Sequence, residues 1–272
     1  MNPSVDASLP VLRATRVTGQ DSARNEMTPD SIQIRACTTL EEFGRCVELQ
    51  RLIWGSSDRD LVPKEIYVVA VKVGGHLLGV FDGADMIGFA LASPGYRQRQ
   101  SYLYSHMTGV LPAYEQLDVR RRLRLAQRDD ALARGFDLLE WTFDPLAVEE
   151  AYFNIEGLGA VVRRLEHGHY GDSTVARPAG LSPVRLVAEW WLRTPRVEAA
   201  LKGQRTRPAA RGAQVHVPIA IGNGRKTDPV VVEKIHVEVE EQLEPWLKQG
   251  YAIVGFERSQ NTGSYLLEAE TK

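Results

Sequence analysis

His106, the arginines 120, 121, 122 and 124, and Asp118 stand close together in one segment, Ser105–Arg124. It reads as a strand, a short loop and a helix with an arginine-rich start. A helix start presents unpaired N–H groups and partial positive charge, which suits a phosphate. Guanidinium forks grip phosphate with paired donors. The loop works against such a site, because no glycine follows Gly109 before the helix and Asp118 stands where the anion would sit. A carboxylate there is an efficient N-cap that would take the free N–H groups and repel a second anion. His106 lies four residues before Val110, so strand alternation places both on one face. An imidazole titrates near neutral pH, as a general base requires. A histidine hydrogen-bonded within the fold weighs at least as much.

The flanking elements are those of an α/β chain. Ile32–Arg35 alternates as a strand, and Thr39 caps a helix carrying Leu40, Phe43, Val47, Leu49 and Ile53 that ends at Trp54-Gly55. A short element follows Pro63, through Ile66 to Val73. Leu77–Asp82 and Met86–Ser93 form a hairpin joined by Gly83-Ala84-Asp85, and Pro94-Gly95 reads as a turn. Ser101–Leu111 is a long strand. On the helix from Val119 to Arg134, Val119, Leu123, Ala126 and Ala133 share a face. Arg120, Arg124 and Arg128 lie opposite, and Arg122 intrudes on the apolar side. Leu138–Phe143 is a strand, Asp144-Pro145 opens a helix to about Glu156, and strands Ala160–Leu165 and Leu186–Leu192 follow. Pro195–Pro218, rich in Arg, Gly and Pro, reads as a linker or long loop. A helix over 228–249, kinked or restarted at Pro245, and a hairpin of Tyr251–Phe256 with Ser264–Leu267 close the chain.

Composition narrows the class. The chain has 272 residues, and its 43% apolar and 25% charged content are those of a globular protein. A net charge of -2 argues for neither nucleic acid nor an anionic membrane as partner. No run is apolar enough for a membrane span. Lys202, Arg205, Arg207 and Arg211 lack interleaved aromatics to stack bases. Cys37 and Cys46 suit buried thiols in a reduced, cytoplasmic setting. They are not spaced as a metal pair, and His167 with His169 has no ligand partner at a recognised spacing, so no metal site is expected. Residues 1–30 lack periodicity and read as a disordered leader, with Met27 a plausible alternative start.

The chain resembles the GNAT acyl-CoA N-acyltransferase superfamily, and within it a branch of predicted acetyltransferases with a C-terminal extension. The match rests on Glu48-Leu49-Gln50-Arg51 with Trp54-Gly55, Gly79-Val80-Phe81-Asp82-Gly83, His106-Met107 with Val110-Leu111-Pro112, and Leu125-Ala126-Gln127-Arg128. It continues through Trp141-Thr142-Phe143-Asp144-Pro145-Leu146, Phe153-Asn154 with Leu158-Gly159-Ala160, Glu189-Trp190-Trp191-Leu192 and Gly250-Tyr251. The resemblance implies a GNAT-like mixed, partly antiparallel central sheet with helices on both faces over 31–194, and a small α+β extension over 195–272. It implies acetyl-CoA or another acyl-CoA as co-substrate and an amine of a small molecule or protein as acceptor. The extension then covers the acceptor side, makes a homodimer contact or completes a partner's sheet.

By the same resemblance, Val110, Leu111, Gln116, Asp118, Val119, Arg120, Arg121 and Arg122 face the co-substrate. The branch pattern has glycines where Gln116, Asp118 and Arg120 stand, and a small residue in place of Arg122. Side chains there crowd a pyrophosphate that glycines would let approach the backbone. Two outcomes are open: guanidinium groups replace backbone amides, or the site is degenerate and the protein binds without acyl transfer. The resemblance puts a base at His106. Its usual tyrosine acid falls on Ile155, leaving Tyr152 or Tyr170 as substitutes, and it lets Asn154 bond the CoA arm or cap a helix end.

Overall fold

The computed structural model describes residues 31–167, 184–205, 212–218, 228–260 and 262–270. The expected leader, Tyr170, His169, Arg207 and Arg211 lie outside the described residues. Strand β1 (Ile32–Ala36) leads to helix α1 (Leu40–Trp54), where Thr39 and Glu42 complete a reciprocal capping box and Gly55 closes the helix at φ 67°. Helix α2 (Lys64–Lys72) precedes the hairpin β2 (His76–Asp82) and β3 (Asp85–Arg97). Strand β4 (Gln100–Val110), helix α3 (Val119–Ala133) and strand β5 (Leu138–Phe143) follow. Helix α4 (Val148–Tyr152) runs into a π-type turn at Phe153–Gly157, and β6 (Val161–His167) and β7 (Val184–Trp191) come next.

The ten strands among the described residues form one sheet in the order β1-β2-β3-β4-β5-β7-β6 and then three strands from the C-terminal region. Helices α1 and α2 cover one face of its first half through Phe43, Leu49, Tyr67, Phe89 and Leu91. Helix α3 covers the other through Val119 and Leu123, against Val80, Ile87 and Val110. The fold is thus the mixed α/β sheet with helices on both faces that the sequence implies.

Several local expectations change. Pro94-Gly95 is no turn: β3 runs through both, and the chain reverses at Gln98 and Arg99 with φ of 49° and 65°. The β2 ladder ends at Ala92, so Pro94 sits where β3 has no neighbour on that side and its missing N–H costs nothing. Asp144-Pro145 does not start a helix. The Asp144 carboxylate instead accepts the Leu146 N–H at 2.7 Å in a tight turn ahead of α4.

The linker read at Pro195–Pro218 contains helix α5 (Pro195–Leu201), capped by Thr194, and strand β8 (Ala213–Pro218). Helix α6 (Pro229–Lys248) continues through Pro245. Strands β9 (Tyr251–Arg258) and β10 (Thr262–Ala269) form the closing hairpin, and β9 meets β6 at Val162↔Ile253. Cys37 and Cys46 are buried free thiols; hydrogen bonding between them, and then burial, raises the Cys46 thiol. No helix among the described residues is long and apolar enough to cross a membrane.

Candidate functional site

Every paired neighbour in the sheet is antiparallel except β4 with β5, and that parallel contact is short: Leu103↔Leu139 and Tyr104↔Glu140. Beyond it the two strands part. The cause lies in β4. On β3, Leu91 and Ala92 are consecutive, yet they pair with Met107 and Ser105, so His106 is an extra residue in the ladder. Such a bulge bends its strand and sharpens the twist. Beyond Tyr104, β4 stays with β3 and its ladder with β5 does not continue among the described residues.

A cleft of about 440 Å³ lies beside the far end of β4, lined by Ile53, Trp54, Thr108, Gly109, Val110, Arg120, Arg124 and Glu150. Gly109 is needed there. A Cβ on it would come within 2.6 Å of the Trp54 ring and 2.9 Å of Ile53, so only glycine lets the end of α1 close that wall.

After Leu111 the chain makes a tight turn over Pro112–Leu117, and Asp118 is left-handed at φ 55°, ψ 17°. The side chain of Gln116 lies outside the described residues. Asp118 is exposed and makes no side-chain cap, contrary to the expectation that it takes the helix N–H groups. A side-chain cap is made from extended backbone, and a left-handed residue aims its carboxylate elsewhere. Val119 is buried against the sheet, Val110 is buried at the cleft wall, and Leu111 is half-buried.

The arginines do not act as one cluster. Successive residues step about 100° around a helix, so each finds a different partner. The Arg121 guanidinium donates to the Leu201 carbonyl at 3.0 Å, and Arg122 donates to the Ile32 carbonyl at 2.6 Å. Both fasten α3 to neighbouring elements. Arg120 lines the cleft, 3.0 Å from the Glu150 carboxylate and 4.6 Å above the Phe153 ring.

Arg124 is not on an exposed face, as helical spacing suggested, but only 5% exposed. It donates to Ser105 Oγ and Gln127 Oε1, each at 2.9 Å, and lies 4.1 Å from the Trp141 ring centroid. Burial, and then the nearby Arg120, pull its pKa down to about 9, which leaves it charged at neutral pH. The signal in the sequence was Gln127, a second polar residue one turn on along the same edge of α3.

The polar cluster continues inward. Gln127 Nε2 donates to His76 Nε2 at 3.1 Å, and His76 Nδ1 donates to Asp130 Oδ2 at 2.8 Å. Burial raises the Asp130 carboxyl, but hydrogen bonds from His76 and Arg134 outweigh it and hold the group below the usual carboxylate range. A carboxyl depressed on folding adds stability above its unfolded pKa of roughly 3.9, and that stability is lost as pH falls through the folded value. Asp130→Asn is therefore expected to flatten the acid side of a melting-temperature profile below about pH 4. An unchanged acid limb would contradict this.

The remaining candidates are dispersed. His106 is exposed at the bulge and does not line the cleft, and the extra residue breaks the alternation that would pair it with Val110. Tyr152 also lies off the cleft: its hydroxyl accepts from Arg205, and the Arg258 guanidinium stacks 3.6 Å from its ring centroid. Asn154 is fully buried, and neither its Nδ2 nor its Oδ1 has a hydrogen-bond partner among the described residues. A buried amide with both ends unsatisfied is costly. Spacing arguments missed Trp54, Arg124 and Glu150 as parts of one cleft, because three separate helices bring them there.

No family model matches the chain, and no curated protein matches it. Similar solved structures include a GNAT family acetyltransferase from Elizabethkingia anophelis with acetyl-CoA bound, at 12% identity and a TM-score of 0.46 over 60% of this chain and 99% of that one. Arabidopsis thaliana Naa50 in complex with the bisubstrate analogue CoA-Ac-MVNAL is similar at 10% identity and 0.46, over 58% and 97%. Aminoglycoside 6′-acetyltransferase type Ii is similar at 16% identity and 0.46, over 59% and 97%. The chain's own strand order, with one short parallel contact and a bulged fourth strand, is the mixed, partly antiparallel α/β sheet that its sequence implies.

Proposed function

We propose that this protein is an acyl-CoA-dependent N-acyltransferase of the reduced cytoplasm, acting on an amine of a small molecule or protein. The observation that carries this reading is the stretch Thr108–Val110 of β4, past the end of its β5 ladder, lining a cleft that also holds Arg120 and Arg124. Backbone N–H and C=O groups on that stretch match the amides of a pantetheine arm, as a further strand would. The Arg120 guanidinium matches its phosphates.

When bound, acyl-CoA supplies an activated carbonyl and a thiolate leaving group. The β4 amides near Val110 polarise the carbonyl. The amine attacks as the neutral base, and His106 takes its proton, through water given its exposed place at the bulge. A second reading, binding without transfer, is favoured by the engagement of Tyr152 with Arg205 and Arg258, since no tyrosine among the described residues then lines the cleft.

Calorimetric titration with CoA and acetyl-CoA, followed by thiol release with a panel of amines, tests both readings. Saturable binding with amine-dependent thiol release is expected. Binding without release would favour the second reading, and no heat at millimolar ligand would overturn both. Asp118→Gly is expected to tighten binding several-fold. It removes a carboxylate from the start of α3 and places glycine where φ is already 55°. Weaker binding would contradict this account of Asp118.

A further inference from the structure

Arg124 lines the cleft without an ion pair of its own among the described residues, although the Glu150 carboxylate in the same lining favours its charge from a distance. Ser105 and Trp141 are the first residues beyond the last paired positions of β4 and β5. The Arg124 guanidinium joins them, bonded to Ser105 Oγ and stacked on the Trp141 ring, so it occupies the point where the strands part. Its hydrogen-bond partners there, Ser105 and Gln127, are neutral. Two donors remain buried without an acceptor among the described residues, Arg124 Nε and Trp141 Nε1. A buried guanidinium without a hydrogen-bonded carboxylate is expensive; Arg120 nearby adds repulsion, and the attraction of Glu150 offsets only part of it.

Resting on the acyltransferase reading, we infer that Arg124 receives a carboxylate brought into the cleft by one of the two substrates, either as the far end of a dicarboxylic acyl group or as the acid group of an amino-acid acceptor. A neutral acyl tail beside Arg124 would leave the cation without an ion pair, whereas a carboxylate supplies the missing acceptor and charge. A phosphate role fits the position less well. Arg124 lies five residues into α3, roughly 7.5 Å along its axis from Val119 at 1.5 Å per residue, and it points to the strand apex rather than to the helix start.

The test compares two ligand pairs by calorimetry on the wild type, Arg124→Gln and Arg124→Lys. One pair is succinyl-CoA against acetyl-CoA. The other is alanine against ethylamine, titrated into the CoA complex. We expect the carboxylate-bearing member of one pair to bind about 10–100-fold more tightly, as for a charge-assisted hydrogen bond. The acyl pair would assign the carboxylate to the donor, and the amine pair to the acceptor. In Arg124→Gln the preference should shrink to about threefold or less, with Arg124→Lys intermediate because it keeps the charge but loses the fork. Thermal melting checks that each variant folds, and if Arg124→Gln does not, the drop in Arg124→Lys decides. No Arg124-dependent preference in either pair would overturn the inference. So would an equal loss for acetyl-CoA and succinyl-CoA, which would place Arg124 on a phosphate. If neither CoA ester binds wild type, the acyltransferase reading fails on its own, and the amine pair titrated into the protein alone decides the carboxylate site.

Discussion

Arg120→Ala should weaken acetyl-CoA binding by about 10–100-fold and leave thermal unfolding nearly unchanged. Of the three consecutive arginines at the start of α3, two are spent on backbone carbonyls of Leu201 and Ile32. Arg120 alone of the three faces the cleft. Its ion pair with Glu150 is 41% and 31% exposed, and such pairs contribute little to stability. Losing it costs the fold little, while a bound phosphate loses its guanidinium. Glu150→Gln should act in the opposite direction, tightening binding several-fold, because Glu150 competes for the same cation and repels an anion. Equal affinities in wild type and both variants would remove Arg120 from the account.

A chain ending at Arg193 should fail to fold into a soluble monomer. The largest apolar cluster crosses that position: Ala151, Ile155, Leu158, Val162 and Trp190 pack with Val197, Val215, Val217, Val239, Leu243, Ile253, Phe256, Tyr265 and Leu267. Polar contacts cross it too. Tyr265 donates to the Pro145 carbonyl at 2.7 Å, the Phe256 N–H to Glu156 at 2.8 Å, and His236 meets Asp144 at 2.9 Å. Truncation would bare these apolar partners and leave β6 as an uncovered edge, a template for aggregation. Each fully buried large side chain is worth roughly 1.5–3 kcal/mol, against a typical net stability of about 5–15 kcal/mol. A truncated chain that is monomeric and melts cooperatively would contradict this.

Much of the frame was legible because its signals are local. The Thr39–Glu42 box, Gly55, the turn at Gly83 and the alternation of β5 each act within a few residues. What could not be read depends on partners distant in sequence. Pro94 reads as a turn unless one knows that β2 stops at Ala92. Gln98 and Arg99 turn the chain with positive φ but without the glycine or asparagine that advertises such a hairpin.

The cleft was legible in outline only. Val110 and Arg120 stand in it, and Arg121 and Arg122 do not. The difference is set by where Leu201 and Ile32 happen to lie. Arg124 looked exposed because charge and spacing group it with Arg120 and Arg128, whereas the stacked Trp141 and the hydroxyl of Ser105 draw it inward. Asp118 looked like a cap because residue type alone carries no backbone angle.

Amide hydrogen exchange with and without acetyl-CoA tests the central claim most directly, because it reports on the backbone of β4 beyond its β5 ladder. Occupation of the cleft by acyl-CoA predicts slowed exchange in Ser105–Val110 and at the start of α3, Val119–Arg124, with α6 and β8 unchanged. Unaltered exchange in both segments at saturating ligand, or protection confined to other parts of the sheet, would contradict it.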